Sequence, residues 1–139
     1  MVEHSAGARI LIVDDDAANV ALLRALLARA GYTDVHAEQD SGAVLHRFHA
    51  LQPDAVLLDL HLPPPDGFTL LEELQRLIDP EDLVPLLVLT GDTSHGARER
   101  ALRAGAHDFV TKPYHRGELA LRVRNALALQ HRHRALRRH

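Results

Sequence analysis

The sequence predicts an α/β fold in which helices cover both faces of a mostly parallel, five-stranded β-sheet. Three observations indicate this class. Short apolar runs of strand length recur along the chain, and segments with apolar residues at helical spacing lie between them. Glycine or proline stands at the junctions, at Gly31, Pro53, Pro80 and Gly105. Because strands alternate with helices, we expect βαβ units, which build parallel sheets.

Each strand is predicted from a short apolar run bounded by polar or turn residues. The five runs are RILIV (9–13), TDVHAE (33–38), DAVLL (54–58), PLLVLT (85–90) and HDFVT (107–111). Apolar residues at helical spacing predict the first three helices: Val20, Leu23, Leu27 and Ala30; Val44, Phe48 and Leu51; Leu70 or Leu71, Leu74, and Leu77 or Ile78. The segment from Thr93 to Ala104 has few large apolar residues, so we expect the most mobile helix there.

The last helix is predicted to be longer than the domain requires. It starts near Gly117 and runs to about Arg138, which would carry it beyond the end of the sheet. Leu129 and Leu136 are seven residues apart, a spacing that fits a coiled-coil seam. A frayed, solvated basic end fits the same sequence equally well.

Length and composition indicate one domain with a substantial core, since 46% of the 139 residues are hydrophobic. No run approaches the roughly 18 apolar residues of a membrane span, and the first residues lack the features of a signal peptide. We therefore expect a cytoplasmic protein with no membrane partner. The absence of cysteine excludes disulfides, thiolate catalysis and cysteine-ligated zinc.

Charge is distributed unevenly along the chain. Residues 1–115 hold 9 basic and 18 acidic side chains, whereas residues 116–139 hold seven arginines and one glutamate. We divide the chain into a domain at residues 1–128 and a basic extension of the last helix at residues 129–139, a candidate linker to an output domain. The extension lacks interleaved aromatic residues, so the sequence does not favour direct nucleic acid binding.

Polar side chains stand at the carboxyl ends of four of the predicted strands, at the sheet edge where parallel α/β proteins bind ligands. The first strand runs into Asp14, Asp15 and Asp16, the third into Asp59, the fourth into Thr90, and the fifth into Thr111 and Lys112. Singly, each has an ordinary explanation, such as a helix cap at Asp16. Together they indicate a site, because neighbouring carboxylates repel by about 4 kcal/mol per pair at an effective dielectric constant of about 20.

A hard divalent cation would hold such carboxylates together, and Mg²⁺ suits this all-oxygen set best. No glycine-rich phosphate loop follows the first strand, where DDD stands, so a nucleotide is not the expected ligand. An aspartate nucleophile, a metal, a hydroxyl and an ammonium indicate aspartyl-phosphate chemistry. Lys112 is the only lysine beside fifteen arginines, and a compact ammonium fits a narrow oxyanion pocket better than a guanidinium. Chance placement on an exposed loop is the alternative.

Four separated motifs resemble the receiver domain of bacterial two-component response regulators. They are VDDD (13–16), LLDLHLPPPDG (57–67), LTGD (89–92) and AGAHDFVTKPY (104–114). The resemblance covers roughly residues 8–128, with the motifs in the family's order and spacing. It implies a doubly wound, flavodoxin-like (βα)5 fold with strand order 2-1-3-4-5.

The resemblance also implies a role for each matching residue. Asp59 matches the phosphoacceptor, and Asp14 and Asp15 match the acid pair that holds Mg²⁺, with Mn²⁺ as the alternative ion. Asp59 and the backbone carbonyl of His61 would be the further metal ligands. The other matches are Thr90 for the hydroxyl that turns to the phosphoryl group, Phe109 for the aromatic residue that follows it, Lys112 for the ammonium that pairs with phosphate, and Pro113 for the proline of a cis peptide bond.

Three residues near the predicted acceptor have an individual interpretation. His61 is uncommon at its position, and its side chain would add a pH-dependent charge unless only its carbonyl matters. Gly91 leaves room for a phosphoryl group beside Thr90. Asp92 resembles a position that tunes the phosphoryl lifetime, although it would also serve as a cap of the next helix.

The resemblance implies a phosphorylation switch and not an enzyme, because such a domain catalyses only its own phosphorylation and dephosphorylation. A sensor histidine kinase or a phosphotransfer protein would donate to Asp59, and the surface of the fourth helix, fifth strand and fifth helix would change. An output domain, and a homodimer through helices four and five, are further expectations. Two alternatives stay open: a haloacid-dehalogenase-like phosphatase, which requires an aspartate where His61 stands, and a phosphorylation-independent interaction module.

Overall fold

Five parallel strands form a single sheet in this computed structural model, which describes residues 7–92 and 94–137. The strands are β1 (Ile10–Val13), β2 (Val35–Glu38), β3 (Ala55–Asp59), β4 (Leu86–Thr90) and β5 (Asp108–Thr111). Their order is β2-β1-β3-β4-β5, and every neighbouring pair is parallel. The predicted doubly wound fold, its five strands and its strand order are confirmed.

Helices follow each strand. They are α1 (Ala17–Arg29), α2 (Val44–Leu51, preceded by a short 3₁₀ turn at Ser41–Ala43), α3 (Gly67–Leu77), α4 (His95–Ala104) and α5 (Arg116–Arg137). Asp16, Asp66 and Ser94 cap the N-termini of α1, α3 and α4 with side-chain oxygens that accept backbone N–H groups. Thr93 and Arg138, which the sequence predicts at helix ends, lie outside the described residues.

The sheet is buried on both faces, as its continuous apolar strands require. Alternate strand residues point to opposite sides. Leu11, Val56 and Val88 pack with α2, α3 and α4, whereas Ile12 and Leu57 pack with α1 and α5. β3 and β4 lie in the interior of the sheet, where all ten of their residues are buried. The strands that carry the predicted acceptor and hydroxyl are therefore fully enclosed in the core.

The last turns of α5 lie against the body of the domain. Gln130 is buried and donates to Asp54 Oδ1 at 3.1 Å. Arg134 donates to Asp54 Oδ1 at 2.7 Å and to both carboxylate oxygens of Asp82, at 3.1 and 3.2 Å. These contacts occupy one side of the helix and join it to the start of β3 and to the connection between α3 and β4. The expectation of an overhanging, fully solvated basic end is wrong for these turns, because acidic side chains of the body pair with the basic residues.

The outer side of the same helix stays exposed. Leu129 and Leu136, the residues of the predicted seam, have relative exposures of 46% and 75%. α5 runs without interruption across residue 128, and the division of the chain at that residue stays a prediction. Within the part of the chain that the structure describes, no helix has the length and apolar character needed to cross a membrane.

Candidate functional site

Four strand ends meet at the carboxyl edge of the sheet, beside the point between β1 and β3 where the winding of the fold reverses. In doubly wound sheets this position forms the ligand crevice. Asp14 directly follows β1, Asp59 and Thr90 end β3 and β4, and Lys112 follows β5. The sheet therefore brings together residues that are up to about a hundred positions apart in the chain.

Three carboxylates gather at this edge. Asp14, Asp15 and Asp59 each present an oxygen, and these three atoms all lie within 4.8 Å of one another. Asp14 and Asp59 are almost fully buried, with relative exposures of 0% and 3%, whereas Asp15 is exposed. An all-oxygen set of this size, open to solvent on one side, fits a hard divalent cation that retains water ligands. We call these three residues the acid trio.

Burial disfavours the ionised carboxylate of Asp14 within the acid trio. Desolvation raises the pKa of its carboxyl, and the charge of Asp59 raises the pKa further. Hydrogen bonds oppose this effect: the Asp16 amide donates to Oδ1 at 2.9 Å, and the Asn19 side chain donates to Oδ2 at 3.1 Å. Asn19 was not identified from the sequence, although its position in the first turn of α1, five residues after Asp14, is the signal that would have found it.

Asp59 has two donors on the same oxygen. The backbone N–H of His61 donates to Oδ1 at 2.9 Å, and Lys112 Nζ lies 3.1 Å from Oδ1. The Lys112 backbone N–H donates to the carbonyl of Thr90, which fixes the loop after β5 to the end of β4. The Lys112 side chain is 25% exposed, so water only partly screens the attraction between its ammonium and the Asp59 carboxylate. The lone lysine thus meets the predicted acceptor.

A glycine holds the helix after the acceptor close to β3. A Cβ atom on Gly67 would approach the Leu60 Cα to 2.5 Å and the Asp59 carbonyl oxygen to 2.9 Å. No other residue fits without moving the backbone of the acceptor strand. Asp66, one position earlier, caps α3 by accepting the Thr69 amide at 2.9 Å.

Thr90 is buried, and its hydroxyl is engaged locally. Thr90 Oγ1 accepts the Asp92 amide at 2.9 Å and donates to the Asp92 carbonyl at 3.3 Å. Asp92 is not the cap of α4: that residue is Ser94, and the Asp92 side chain accepts the Ser94 amide. Gly91 is exposed, and a Cβ there would meet nothing within 4 Å, so the space beside Thr90 does not depend on glycine.

The other predicted residues lie around this centre. Phe109 is half-buried on β5, with the Arg98 guanidinium 5.3 Å from its ring centroid. The peptide bond between Lys112 and Pro113 is cis, as the family resemblance implies, and the Pro64–Pro65 bond is also cis, which was not predicted. The side chain of His61 is exposed and lines a cavity of about 280 Å³. Thr90, Asp92, Phe68 and Arg100 also line this cavity.

A doubly wound sheet of this order, with an acid trio and an ammonium at its carboxyl edge, defines a receiver-type fold. This chain belongs to the response regulator receiver domain family, whose model matches residues 10–124. Receiver domains of this family are signalling switches. The phosphatase alternative and the phosphorylation-independent alternative are not favoured.

Individual relatives agree with the family. The chain is 41% identical over 119 residues to the response regulator MprA of Mycolicibacterium vanbaalenii. This match covers 86% of this chain and 50% of MprA. It is 40% identical over 119 residues to the response regulator PleD of Caulobacter vibrioides, covering 85% of this chain and 26% of PleD. The chain therefore spans between a quarter and a half of the length of these curated relatives.

A solved structure shows the same fold with a metal. It is the receiver domain of a sensor histidine kinase from Pseudomonas aeruginosa PAO1, described with a magnesium ion coordinated in the active site cleft. Its TM-score to this structure is 0.78 at 30% identity, and the match covers 88% of this chain and 98% of the other.

Proposed function

We propose that this receiver domain accepts a phosphoryl group on Asp59 from a sensor histidine kinase or a phosphotransfer protein, in a reaction that depends on Mg²⁺. One observation carries the proposal. The carboxylate of Asp59 lies 3.1 Å from Lys112 Nζ and within 4.8 Å of oxygens from Asp14 and Asp15. A nucleophile, a charge for the phosphoryl oxygens and a place for a dication thus stand together.

The metal would be held by Asp14, Asp15, Asp59 and the backbone carbonyl of His61, with Mn²⁺ as an alternative ion. The acid trio supports this assignment, because desolvation and the mutual repulsion of its carboxylates both favour a bound cation. When bound, the ion supplies positive charge that neutralises the phosphoryl oxygens. The Asp14 carboxylate is oriented for this role by the Asp16 amide and the Asn19 side chain.

The transfer itself is an in-line displacement. A carboxylate oxygen of Asp59 forms a bond to phosphorus while the bond from phosphorus to the donor histidine nitrogen breaks, and that nitrogen keeps the electron pair. The Lys112 ammonium then pairs with a phosphoryl oxygen instead of with the free carboxylate. No proton is taken from the nucleophile, since Asp59 reacts as the carboxylate.

The response to phosphorylation would run through Thr90 and Phe109. The Thr90 hydroxyl would leave the Asp92 backbone and turn to the phosphoryl group, and Phe109 would follow it inward. α4 is suited to respond, because only Ala101 and Ala104 of its residues are buried. The α4–β5–α5 surface would then shift in population between two packings. Gly91 and Asp92 would tune the phosphoryl lifetime.

In this proposal the domain is a switch that catalyses only its own phosphorylation and dephosphorylation. Its partners would be the phosphodonor protein, an output domain joined through the basic extension at residues 129–139, and a second copy bound through α4 and α5. An output domain is supported by the curated relatives, because the chain matches only a quarter to a half of their length.

Incubation with Mg²⁺ and acetyl phosphate tests the acceptor. Intact-mass spectrometry should show one added phosphoryl group on the wild type and none on Asp59→Asn. Asp66→Asn is the matched control, because asparagine preserves the cap of α3 and the exchange lies outside the acid trio. Phosphorylation of Asp59→Asn at the wild-type level, or no phosphorylation of the wild type with Mg²⁺ present, would contradict the proposal.

A further inference from the structure

The hydroxyl of Tyr114 is an unusual polar group. Among the residues that the structure describes, it is the single side-chain nitrogen or oxygen that is buried without a hydrogen-bond partner. The ring of Tyr114 packs against the core on the side of the sheet that α1 and α5 cover. The apolar part of the side chain is thus accounted for by packing, whereas the oxygen is not.

A buried hydroxyl without a partner is unfavourable, because buried polar groups in native proteins are normally hydrogen-bonded to the protein or to an ordered water. The tyrosine O–H can act as a donor to any oxygen that comes within reach. A phenylalanine at this position would fill the same space without the penalty. The hydroxyl therefore requires an explanation beyond core packing.

The carboxylates at the carboxyl edge, which include Asp14 and Asp59 of the acid trio, lie close enough to act electrostatically on this hydroxyl. Tyr114 stands two residues after Lys112, at the start of the connection to α5. Burial raises the pKa of its hydroxyl well above the ordinary value, and the charges of Asp14, Asp59 and Asp16 raise the pKa further. The phenol therefore keeps its proton beside a group of carboxylates, which is the state of a hydrogen-bond donor.

We propose that the Tyr114 hydroxyl is a positioning group of the metal site, which donates its hydrogen bond to the oxygen shell of the ion once Mg²⁺ is bound. This inference rests on the proposed function, in which the acid trio holds Mg²⁺. The acceptor is either a carboxylate oxygen of the trio or a water on the ion, and both are oxygens of that shell. Outer-shell donors of this kind orient the ligands of a metal and strengthen its binding.

The proposal predicts opposite effects with and without the ion. In the absence of Mg²⁺ the hydroxyl has no partner to lose, so Tyr114→Phe should melt at the wild-type temperature or above it. Removal of an outer-shell donor lowers metal affinity by about tenfold or more, so the same variant should bind Mg²⁺ about tenfold more weakly.

The chain offers a matched control, because it holds only two tyrosines and no tryptophan. Tyr32 is also buried, at 3% exposure, and it belongs to the same side of the core. Tyr32→Phe removes a tyrosine hydroxyl from the same side of the core without touching Tyr114. Each single variant also leaves one tyrosine, so its near-ultraviolet spectrum reports that residue alone.

The experiment measures Mg²⁺ affinity by calorimetry, melting temperature without metal, and tyrosine absorption during the Mg²⁺ titration. The expected result is weaker binding in Tyr114→Phe, wild-type binding in Tyr32→Phe, and a red shift of the single tyrosine band in Tyr32→Phe as Tyr114 gains an acceptor. Equal affinity in all three proteins, or no spectral change in Tyr32→Phe when it binds Mg²⁺, would overturn the role of Tyr114 and leave the proposed function intact. Failure of the wild type itself to bind Mg²⁺ would overturn the metal site and this inference together.

Discussion

At the scale of single residues, the contact between Lys112 and Asp59 shows why the two basic side chains are not interchangeable at this site. The ammonium reaches one oxygen of a nearly buried carboxylate at 3.1 Å, while the His61 amide uses the same oxygen. A guanidinium is wider, planar and forked, and it would compete for space with that amide. Charge alone therefore does not describe the role of Lys112.

Lys112→Arg should slow phosphorylation by acetyl phosphate roughly tenfold, less than the 100-fold or more expected when a positioned donor is lost altogether. The measurement is the phosphorylation rate in saturating Mg²⁺. Lys112→Ala gives the rate when the ammonium is removed completely. Arg76→Lys, the reverse exchange at an exposed position of α3, should have no effect. Wild-type rates in Lys112→Arg would show that the site requires only a positive charge.

The ring of His107 is expected to make the stability of the fold depend on pH. Its Nδ1 accepts the Leu86 amide at 3.1 Å, and its own amide donates to the Leu86 carbonyl, so the ring joins the starts of β4 and β5. Desolvation of the ring lowers the pKa of His107, although much of the residue is exposed. Protonation would convert the acceptor nitrogen into a donor facing the Leu86 N–H.

We expect His107 to make the fold less stable in mild acid. Its pKa is lower in the folded state than the unfolded value of about 6.5, so the unfolded chain binds more protons in that window. The free energy of unfolding should therefore fall as the pH decreases from about 7 through the lowered pKa. Chemical denaturation between about pH 5 and 7 should give a flatter dependence for His107→Gln, whereas His49→Gln on the exposed side of α2 should retain the wild-type slope. Identical slopes in all three proteins would exclude the role of His107.

At the scale of secondary-structure elements, polar contacts join the last turns of α5 to the body of the domain. Desolvation acts against ionisation of Asp82, yet the hydrogen bonds and charge of Arg134 lower its pKa, which indicates a net favourable pairing. His133 also contacts this connection, through a 2.8 Å hydrogen bond between Nε2 and the Glu81 carbonyl. A chain that continues beyond α5 would leave the domain in a direction set by these contacts.

Arg134→Ala should loosen the last turns of α5 and lower the free energy of unfolding by about 1 kcal/mol, the upper range for partly exposed ion pairs. Amide hydrogen exchange of residues 128–137 is the direct measurement, and the difference from wild type should shrink at high salt. Arg132→Ala on the exposed side of the same helix is the control. Unchanged exchange in Arg134→Ala would mean that other contacts, such as the hydrogen bond from Gln130 to Asp54, hold the helix end.

At the scale of the whole molecule, the acid trio links folding to metal binding. Three carboxylates, two of them buried, stand at one edge of the sheet with a single lysine, so the metal-free fold carries unfavourable electrostatic energy there. A ligand that binds only the folded state raises stability by mass action. The melting temperature should therefore report occupancy of the site.

Mg²⁺ should raise the melting temperature of the wild type, with stabilisation of about 2.7 kcal/mol when its concentration is 100 times the dissociation constant. Asp15→Asn should lose most of this increase. Asp16→Asn, an exchange at the adjacent residue, should keep it, because Asp16 is outside the trio and asparagine also caps a helix. An equal Mg²⁺ effect in both variants would exclude Asp15 as a ligand.

Most of the fold followed from patterns within short segments. All five strands were predicted within two residues of their ends, because apolar runs and helical spacing are local properties. Each strand starts one or two residues later than predicted, and β3 also ends one residue later, at Asp59. At the start of β3, the Asp54 carboxylate accepts the Arg9 amide. Strand order came from the family resemblance, since periodicity does not define which strands are neighbours.

The site was predicted in its composition and only partly in its contacts. Asp59, Lys112 and the acid pair could be placed because they follow strands whose ends meet at one edge. Asn19 and Tyr114 were missed, because their roles depend on where a helix turn and a loop lie relative to Asp14. The local bonding of Thr90 to Asp92, and the closeness of Gly67 to β3, likewise depend on the packed backbone.

The sequence by itself determined the α/β class, the order of its elements and the set of charged residues at the carboxyl edge, because each depends on residue type and short-range spacing. Only the tertiary structure decided that the basic end of α5 pairs with Asp54 and Asp82, and that the Tyr114 hydroxyl is buried without a partner. The physical reason is that ion pairs and hydrogen bonds require distances of about 3 Å. Such distances between segments far apart in the chain exist only after the core has packed.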